Sequence, residues 1–448
     1  MSKMTNTPSK QQRAGELLRR SSVPIMFIVI CAICIPISGL SPNMLVNEIV
    51  TRMGRNSFLI LSLLIPIMAG MGLNFGMTLG AMAGEIGLIL VSDWQIVGIP
   101  GMVLAMIISV PISVVLGLFC GKILNMAKGR EMITSYIISY FINGVYQLVV
   151  LYLMGSIIPI KHTSIKLPRG YGIRNTVSLL NMRQNLDNLI PLYISIPGVG
   201  SVKVPVMTFI IIALLCLIIV WFRKTKLGQD MRAVGQDIGV SRDAGINVER
   251  TRILSIIIST VLAGFGMIIY LQNMGNIATY SSHSQIGMFC IAALLVGGAS
   301  VDKASIGNVF LGVTLFHLMF IVGRGHTIYI DNKDLEVGGK KYEAFYQVEV
   351  FVKDRSVAKL KAGDRGMVTV MGQKFRMVLH ITPKEGEKKY GSAVSMNLPY
   401  NMDGIILNLP AILGGGSEEE YMSEFIPAPV TESDEEVVVT DEFEMPSE

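Results

Sequence analysis

The chain has 448 residues, of which 51% are hydrophobic and only 16% are charged, and its mean hydropathy is +0.53. This balance excludes a soluble globular protein and indicates a polytopic membrane protein. The net charge of +5 does not indicate a nucleic-acid partner, because no Lys or Arg follows Lys389 and residues 418–448 are acidic throughout.

The N-terminal residues 1–22 form a polar arm that contains Arg19 and Arg20. An apolar run from Val23 to Leu40 follows, and no small-residue cleavage pattern comes after it. The run is therefore expected to stay as a first membrane span rather than to be removed as a signal peptide. We place the basic arm in the cytoplasm.

A second apolar run, 58–73, leads directly into the segment GLNFGMTLGAMAGEIG. Glycine recurs there at every fourth position, which predicts a helix face without side chains that a neighbouring backbone can approach closely. Asn74, Thr78 and Glu85 fall on a different face of the same helix. They are candidates for a polar translocation path, whereas the alternative places Glu85 at a helix end near the lipid headgroups. The glycines predicted to pack helices are Gly72, Gly76, Gly80 and Gly84.

Two further spans are predicted at 97–119 and 132–158, separated by a basic turn that is typical of the cytoplasmic side. The second carries four polar side chains at helical spacing: Tyr136, Tyr140, Asn143 and Gln147. Such a stripe suits the path of a polyhydroxylated or heteroaromatic solute. Hydrogen bonding between helices would produce the same pattern, so both interpretations are open here.

The polar segment 159–203 is expected outside the cell, and the loop 223–252 inside, because the loop has seven Lys or Arg against four Asp or Glu. Spans are predicted at 204–222, 253–271 and 306–322, with a short run at 286–297 that is marginal for crossing. The membrane domain is therefore predicted over 23–322, with about nine transmembrane helices in an otherwise all-α fold.

The chain changes character after residue 322, where β-branched and aromatic runs alternate with Gly-rich turns. We predict a small β-rich domain over 323–413, with about five strands between Thr327 and Leu398. The final segment, 414–448, is rich in Glu and contains Pro427 and Pro429, which predicts an acidic disordered tail.

The five cysteines all lie inside apolar runs, where neither a disulfide framework nor a metal site is expected. The sequence has no GxxxxGK[ST] phosphate loop, no HExxH and no GxSxG. We therefore expect no catalytic residues, no metal and no resident cofactor. Energy for active transport would have to come from an ion gradient or from another polypeptide. The cysteines are Cys31, Cys34, Cys120, Cys216 and Cys290.

The segment AVGQDIGVSRDAGINVERTRILSIIISTVLAGFGM, which begins at Ala233, resembles a pattern of ATP-binding-cassette (ABC) importer permeases of the branched-chain amino acid, ribose and nucleoside type. REMITSYIISYFI, LLVGGASVDKASIGNVFLG and LNFGMTLGAMAG are similar to further segments of that family. The resemblance covers about 59–322. The EGQM element of the nucleoside members is missing, and the chain lacks the further span with which members usually finish.

The resemblance implies a permease subunit in a bacterial cell membrane, partnered by ABC ATPase subunits that bind ATP, a second permease subunit, an extracytoplasmic solute-binding protein and membrane lipid. The solute would be a simple sugar or a nucleoside, with a branched-chain amino acid as the alternative. An ion-coupled secondary transporter is the rival interpretation. The resemblance also implies an ATPase-coupling helix formed by Gly235, Gln236, Asp237, Arg242, Asp243, Ala244, Gly245, Ile246 and Asn247.

Overall fold

The computed structural model describes residues 21–38, 40–323, 325–337, 339–352, 355–371, 374–399 and 404–424. The chain divides into two compact units, Met1–Val322 and Gly323–Glu448. The first unit is helical and the second is rich in β-strands, which confirms the predicted fold class in outline. Of the predicted N-terminal arm, 1–20 lie outside the described residues.

The helices of the first unit are mostly long and apolar. In chain order they are α1 (Ser22–Ser38), α2 (Pro42–Ser62), α3 (Leu64–Met68), α4 (Met77–Asp93), α5 (Gly98–Met126), α6 (Glu131–Leu148, continued by a π-helical turn at Val149–Leu153), α7 (Val206–Phe222), α8 (Lys226–Gln236), α9 (Ile238–Asp243), α10 (Val248–Met274), α11 (Ser282–Val296) and α12 (Ile306–Val322).

Within the described residues, three helices are long and apolar enough to cross a membrane: α5, α6 with its π turn, and α10. A fourth span results if α7 and α8, which meet at a bend of 75°, are counted as one. Helices α1, α11 and α12 are apolar but shorter. The first unit is thus a multi-helix membrane domain, and the number of nine spans stays a prediction.

The second span begins earlier than its apolar run indicates. Helix α2 starts at Pro42, where the Ser41 hydroxyl accepts a hydrogen bond from the amide of Met44 at 3.4 Å. Its first turns are polar, and Glu48 and Arg52 form a salt bridge one turn apart at 3.0 Å. The cap and the first-turn proline therefore set the helix start, rather than hydrophobicity.

The glycine-rich segment does not form the continuous helix face that was predicted for it. Gly70 and Gly72 have φ of +70° and +65°, a left-handed conformation that breaks the helix, and α4 begins only after Gly76. The predicted packing face is therefore limited to Gly80 and Gly84. A Cβ atom at Gly80 would lie 2.0 Å from the carbonyl oxygen of Thr260 in α10, so these two helices touch through their backbones.

Helix α10 forms the centre of the first unit and packs against α2, α4 and α5. Ile256, Ala263 and Met267 on this helix are fully buried. Its last residue, Met274, is followed by Gly275 in the left-handed conformation, which ends the helix. A strand β4 (Asn276–Ala278) then pairs antiparallel with β1 (Thr176–Ser178) from the segment between α6 and α7.

The segment between α6 and α7 also carries a hairpin, β2 (Pro191–Ile196) and β3 (Gly200–Pro205). Asp187, which is buried, fastens this segment to the helices. Its carboxylate accepts hydrogen bonds from Thr208 of α7 at 2.5 Å and from Gln272 and Asn273 of α10 at 3.0 and 2.7 Å. A buried carboxylate with three donors is well satisfied, so this contact fixes the segment onto the membrane domain.

The second unit contains two four-stranded sheets and a small hairpin. One sheet has the order β10-β5-β13-β14 and the other β12-β11-β8-β9, and among the strands that the structure describes only β13 and β5 pair in parallel. Both sheets contribute to one apolar core. The strands are β5 (Gly325–Asp331), β6 (Leu335–Val337), β7 (Lys340–Tyr342), β8 (Gln347–Val352), β9 (Arg355–Lys361), β10 (Arg365–Met371), β11 (Lys374–Thr382), β12 (Tyr390–Asn397), β13 (Gly404–Asn408) and β14 (Met422–Glu424).

Eight described strands, β5 to β12, occupy the range in which about five were predicted, and the unit continues beyond 413. A short helix α13 (Leu409–Leu413) follows β13, and α14 (Glu418–Tyr421) precedes β14. The prediction of a disordered tail is therefore wrong for 414–424, because Met422 is buried in the core and β14 pairs with β13. The remainder of that predicted tail, 425–448, lies outside the described residues.

Candidate functional site

A cavity of about 150 Å³ lies between α4, α6, α11 and the turn before α4. Its lining combines hydroxyl, amide and aromatic side chains with two methionines. The lining residues are Phe75, Thr78, Met82, Tyr136, Ser139, Tyr140, Asn143, Ser284, Gln285, Met288 and Phe289.

The structure brings four of the seven predicted path residues into this lining: Thr78, Tyr136, Tyr140 and Asn143. The other three lie elsewhere. Asn74 is buried in the turn before α4 and accepts a hydrogen bond from the amide of Gly76 at 2.8 Å. Glu85 is fully buried behind the cavity, and Gln147 lies one turn beyond Asn143, outside the lining. The predicted stripe on α6 therefore contributes only its first three members.

Hydrogen bonds fix two of the hydroxyls that face the cavity. Thr78 donates to the Ser139 hydroxyl at 2.9 Å, and Ser139 donates to the carbonyl of Phe75 at 2.9 Å. These bonds join α4 and its preceding turn to α6. Because both hydroxyls are already engaged, they shape the wall rather than offer free donors.

The aromatic side of the cavity is arranged edge to face. The rings of Phe75 and Tyr136 are 5.0 Å apart with an interplanar angle of 72°, and Tyr136 packs on Tyr140 in the same way. The Tyr136 hydroxyl donates to that of Tyr140 at 3.1 Å. Tyr140 remains 60% exposed, so its ring and hydroxyl are accessible at the mouth of the cavity.

A buried chain of polar groups stands behind Asn143. His283 Nδ1 lies 2.7 Å from Glu85 Oε2, and His283 Nε2 lies 2.8 Å from Asn143 Oδ1. The Tyr146 hydroxyl donates to the same Glu85 oxygen at 3.2 Å. Glu85 and His283 are both fully buried, and their hydrogen bonds satisfy both ring nitrogens of His283 and Glu85 Oε2, whereas the buried Glu85 Oε1 has no partner among the described residues.

Sequence reasoning missed the contribution of α11. The apolar run predicted for this span starts at Ile286, so His283, Ser284 and Gln285 fall in the polar stretch before it. The structure starts the helix at Ser282. Ser284, Gln285 and Met288 follow the spacing of one helix face, and this pattern would have indicated a polar lining if the helix had been extended by one turn.

The segment predicted to couple to an ATPase forms two short helices. Thr225 caps α8 by accepting from the amide of Gly228 at 3.2 Å, and Asp237 caps α9 by accepting from the amide of Val240 at 3.0 Å. Gly245 has a φ of +80° after α9, and the Asn247 side chain then caps α10. Local sequence therefore sets each boundary of this segment.

Helix α9 presents an exposed surface. Arg242, Asp243, Ala244 and Gly245 are exposed, as are Gln236, Asp237 and Asn247, whereas Ile246 is half-buried. Val240 is an apolar side chain with 66% exposure. The exposed residues of α9 and its flanks therefore leave this segment accessible within the first unit.

Two glycines of this segment, Gly235 and Gly239, lie inside helices rather than at its bends. A Cβ atom at Gly235 would lie 2.4 Å from the carbonyl oxygen of Met68, so Gly235 allows α8 to pack on the end of α3. Gly239 lies inside α9. Gly245, with its positive φ, is the position where the turn requires glycine.

A larger cavity, about 680 Å³, lies beside α8 and is bordered by α3, α7 and the start of α12. Its charged lining is mainly basic: Arg223, Arg232 and Lys303, with Asp302. Within the described residues, no three His, Cys, Asp or Glu side chains come together as a metal ion would require.

Comparison with known proteins assigns the membrane domain. Residues 47–337, well over half of the chain, match the family described as "Branched-chain amino acid transport system / permease component". The chain belongs to this permease family. The resemblance inferred from the coupling motif is therefore confirmed, and the protein is a multi-pass membrane permease of the ABC importer type. Its C-terminal part, residues 304–445, matches a family of unknown function.

Several curated relatives are ABC permeases. The nucleoside ABC transporter permease protein NupB of Lactococcus lactis subsp. cremoris is 27% identical over 275 residues, which cover 59% of this chain and 69% of the relative. The xylose transport system permease protein XylH of Haemophilus influenzae is 30% identical over 110 residues, covering 25% and 28%.

The probable branched-chain amino acid transport permease protein LivH of Methanocaldococcus jannaschii is 30% identical over 131 residues, covering 28% of this chain and 40% of the relative. The permease thus aligns with less than half of these last two relatives. No solved structure matches the chain. The relatives are transport permeases, which supports a transport role for this chain rather than an enzymatic one.

Proposed function

We propose that this chain is the permease subunit of an ABC importer in a bacterial cell membrane and that it translocates a nucleoside or a simple sugar. The observation that carries the proposal is the cavity between α4, α6 and α11, which combines uncharged polar groups with aromatic rings. Nucleosides and sugars present hydroxyl and carbonyl groups, and a nucleobase adds a flat π face that aromatic side chains can stack against.

The chemistry of the lining favours these solutes over a branched-chain amino acid. All of the described residues that line the cavity are uncharged. An amino acid carries an ammonium and a carboxylate, and desolvating both without charged partners is costly. A neutral polyhydroxylated solute needs only the hydrogen bonds that Tyr140, Asn143 and Gln285 can supply.

A second permease subunit is part of the proposal. The cavity volume of about 150 Å³ is below the roughly 300–1,000 Å³ that is usual for ligand sites. Helix α6 also exposes a wide apolar face that includes Ile133, Ile137 and Phe141. We propose that a second copy or a related permease covers this face and completes the pathway.

The remaining partners follow from the same assignment. ABC ATPase subunits would dock on α9 and its flanking residues, where Val240, Arg242 and Asp243 are exposed. ATP would be bound by those subunits, and this chain would need no cofactor of its own. An extracytoplasmic binding protein would deliver the solute, and lipid would surround the helices.

The test is uptake by the assembled transporter. The chain would be purified in mild detergent with the subunits that copurify, reconstituted in liposomes with ATP inside, and supplied with adenosine, D-ribose or L-leucine and the corresponding binding protein. ATP-dependent uptake of adenosine or ribose supports the proposal. Uptake of leucine alone, or uptake that follows a proton or sodium gradient without ATP, would contradict it.

Two variants locate the pathway in this assay. Asn143→Leu should reduce uptake severely while the ATPase subunits still copurify, since Asn143 lines the cavity and is not part of the proposed coupling segment. Gln147→Leu is the matched control, because Gln147 lies on the same helix but outside the lining. Equal uptake by the two variants would show that the cavity is not on the solute path.

A further inference from the structure

The buried hydrogen-bonded side chains behind the cavity determine which atoms of Asn143 can form a hydrogen bond with a solute. Glu85 from α4 and His283 from α11 are fully buried and meet at 2.7 Å. His283 then reaches Asn143 Oδ1 through its other ring nitrogen at 2.8 Å. Tyr146 closes the group, since its hydroxyl bonds Glu85 and its ring packs edge to face on the imidazole at 4.9 Å.

Donor and acceptor counting assigns the hydrogen on His283 Nε2. The Asn143 Oδ1 atom can only accept, so Nε2 must carry a hydrogen. On the other side, Nδ1 either donates to a Glu85 carboxylate, which makes the ring an imidazolium, or accepts the hydrogen of a neutral Glu85 carboxyl. Both assignments leave Nε2 as the donor to Asn143, so the side-chain oxygen of Asn143 is engaged.

The nitrogen of the Asn143 amide, in contrast to its oxygen, has no hydrogen-bond partner among the described residues. Among the residues that the structure describes, no protein group accepts a hydrogen bond from Asn143 Nδ2. Asn143 belongs to the cavity lining. An amide whose oxygen is held from behind presents its NH₂ group, with two hydrogens, to whatever occupies the cavity.

We infer that Glu85 and His283 are positioning residues that hold Asn143 as a hydrogen-bond donor, so that the cavity selects solutes presenting an acceptor at this point. The matching acceptor is a ring nitrogen or carbonyl of a nucleobase, or an oxygen of a sugar. This inference rests on the proposed function, since it takes the cavity as part of the solute path. Glu85 then acts on transport through Asn143, without contacting the solute.

The arrangement around His283 can be tested without transport. The full chain, labelled with ¹⁵N-histidine and placed in lipid nanodiscs, would be examined by NMR, with His283→Phe used to assign the His283 signals. We expect Nε2 to be protonated and its signal to move in Asn143→Leu but not in Gln147→Leu. An unprotonated Nε2, or a signal that is unchanged in Asn143→Leu, overturns the inference.

Solute selection is tested in the reconstituted transporter with adenosine and its 1-deaza, 3-deaza and 7-deaza analogues, each of which replaces one ring-nitrogen acceptor by CH. D-Ribose with its monodeoxy analogues is the second matched set. For wild type we expect one analogue to have a KM about five- to tenfold higher than its parent, the value of one neutral hydrogen bond. Asn143→Leu and His283→Phe should reduce this preference to within about twofold, whereas Gln147→Leu should keep it.

The outcomes separate the two claims. Uptake in which wild type and Asn143→Leu discriminate the analogues equally overturns the inference and leaves the proposed function standing. If wild type transports neither adenosine nor ribose, the proposed function is overturned. The NMR result alone then decides how His283 holds Asn143.

Discussion

Arg252, fully buried in the first turns of α10, forms a salt bridge with Glu131 at the start of α6. The guanidinium also contacts the sulfur of Met71 at 2.7 Å. This pair connects the first turns of α10, which follow the proposed coupling segment, with the helix that carries Tyr140 and Asn143. We expect this ionic contact to be one route by which a displacement of α9 and the start of α10 reaches the cavity wall.

The Arg252–Glu131 pair should show strong non-additivity. Glu131→Leu leaves a buried guanidinium without its counter-ion, and breaking a buried pair in this way costs about 3–5 kcal/mol. Replacing both residues, with Arg252→Met and Glu131→Leu, should be much less destabilising. Thermal unfolding in detergent measures the difference, and a double variant that is as unstable as the sum of the single variants would contradict this account.

The double variant also tests signal transmission. If the ionic contact carries motion from α9 to α6, the folded double variant should hydrolyse ATP with its partner subunits but import solute poorly. Measuring solute uptake and ATP hydrolysis in the same liposomes gives the number of solute molecules imported per ATP hydrolysed. An unchanged ratio would mean that the pair stabilises the fold and transmits nothing.

Gly80→Ala should destabilise the membrane domain, because its Cβ would meet the Thr260 carbonyl at 2.0 Å and push α4 away from α10. Overpacking of this kind costs about 1–3 kcal/mol. Gly144→Ala on α6 is the control, since nothing lies within 4 Å of the position its Cβ would take. Melting temperatures in detergent should fall for the first variant and stay level or rise for the second.

Exposed residues of α9 should determine ATPase binding. Val240→Asp places a charge where an exposed apolar side chain would be buried by a partner, and Asp243→Lys reverses a charge on the same helix. Both should reduce copurification of ATPase subunits without altering the melting temperature of the permease. Glu249→Lys makes the same charge change at an exposed site beyond α9, and equal loss of partner there would argue against a docking site on α9.

The long apolar helices could be predicted because a membrane span needs a continuous apolar run. The family could be recognised because the motif that begins at Ala233 is local. The break in the helix at Gly70 and Gly72 could not be predicted from the sequence, since glycines at helical spacing do not reveal which of them adopt a positive φ. The cavity lining could be predicted only in part, because Ser284 and Gln285 become part of a helix face only when packing extends α11 into a polar stretch. Parallel pairing of β13 with β5 joins distant segments, and local alternation does not encode it.

The last helix and strand that the structure describes in the second unit should be sensitive to acid. The backbone amide of Ser417 donates to Glu420 at 2.8 Å and the Tyr342 hydroxyl adds a further bond, and these contacts hold the pKa of Glu420 below its ordinary value. The stabilisation is therefore present above the unfolded-state pKa and is lost as the pH falls through the lower folded value. Hydrogen exchange of Met422–Glu424, corrected for intrinsic rates, should show less protection below about pH 4.

Glu420→Gln should remove most of this pH dependence, because an amide does not titrate in that range. Glu419→Gln is the matched control on the same short helix, since Glu419 is exposed. If both variants keep the acid sensitivity of wild type, other carboxylates are responsible and Glu420 is not the group that titrates.

The membrane side of the second unit follows from the number of spans. If nine spans alternate from a cytoplasmic N-terminus, the second unit lies outside the cell, whereas an even number places it inside. The native cysteines in the described residues are buried or half-buried in apolar helices, so single cysteines at exposed sites can be labelled selectively. In intact cells, a membrane-impermeant maleimide should label Lys388→Cys in the second unit and should label Glu249→Cys, at an exposed site beyond α9, only after the membrane is permeabilised. Protection of both positions in intact cells would place the second unit in the cytoplasm, beside the ATPase subunits, and would mean that the short helix α11 does not cross.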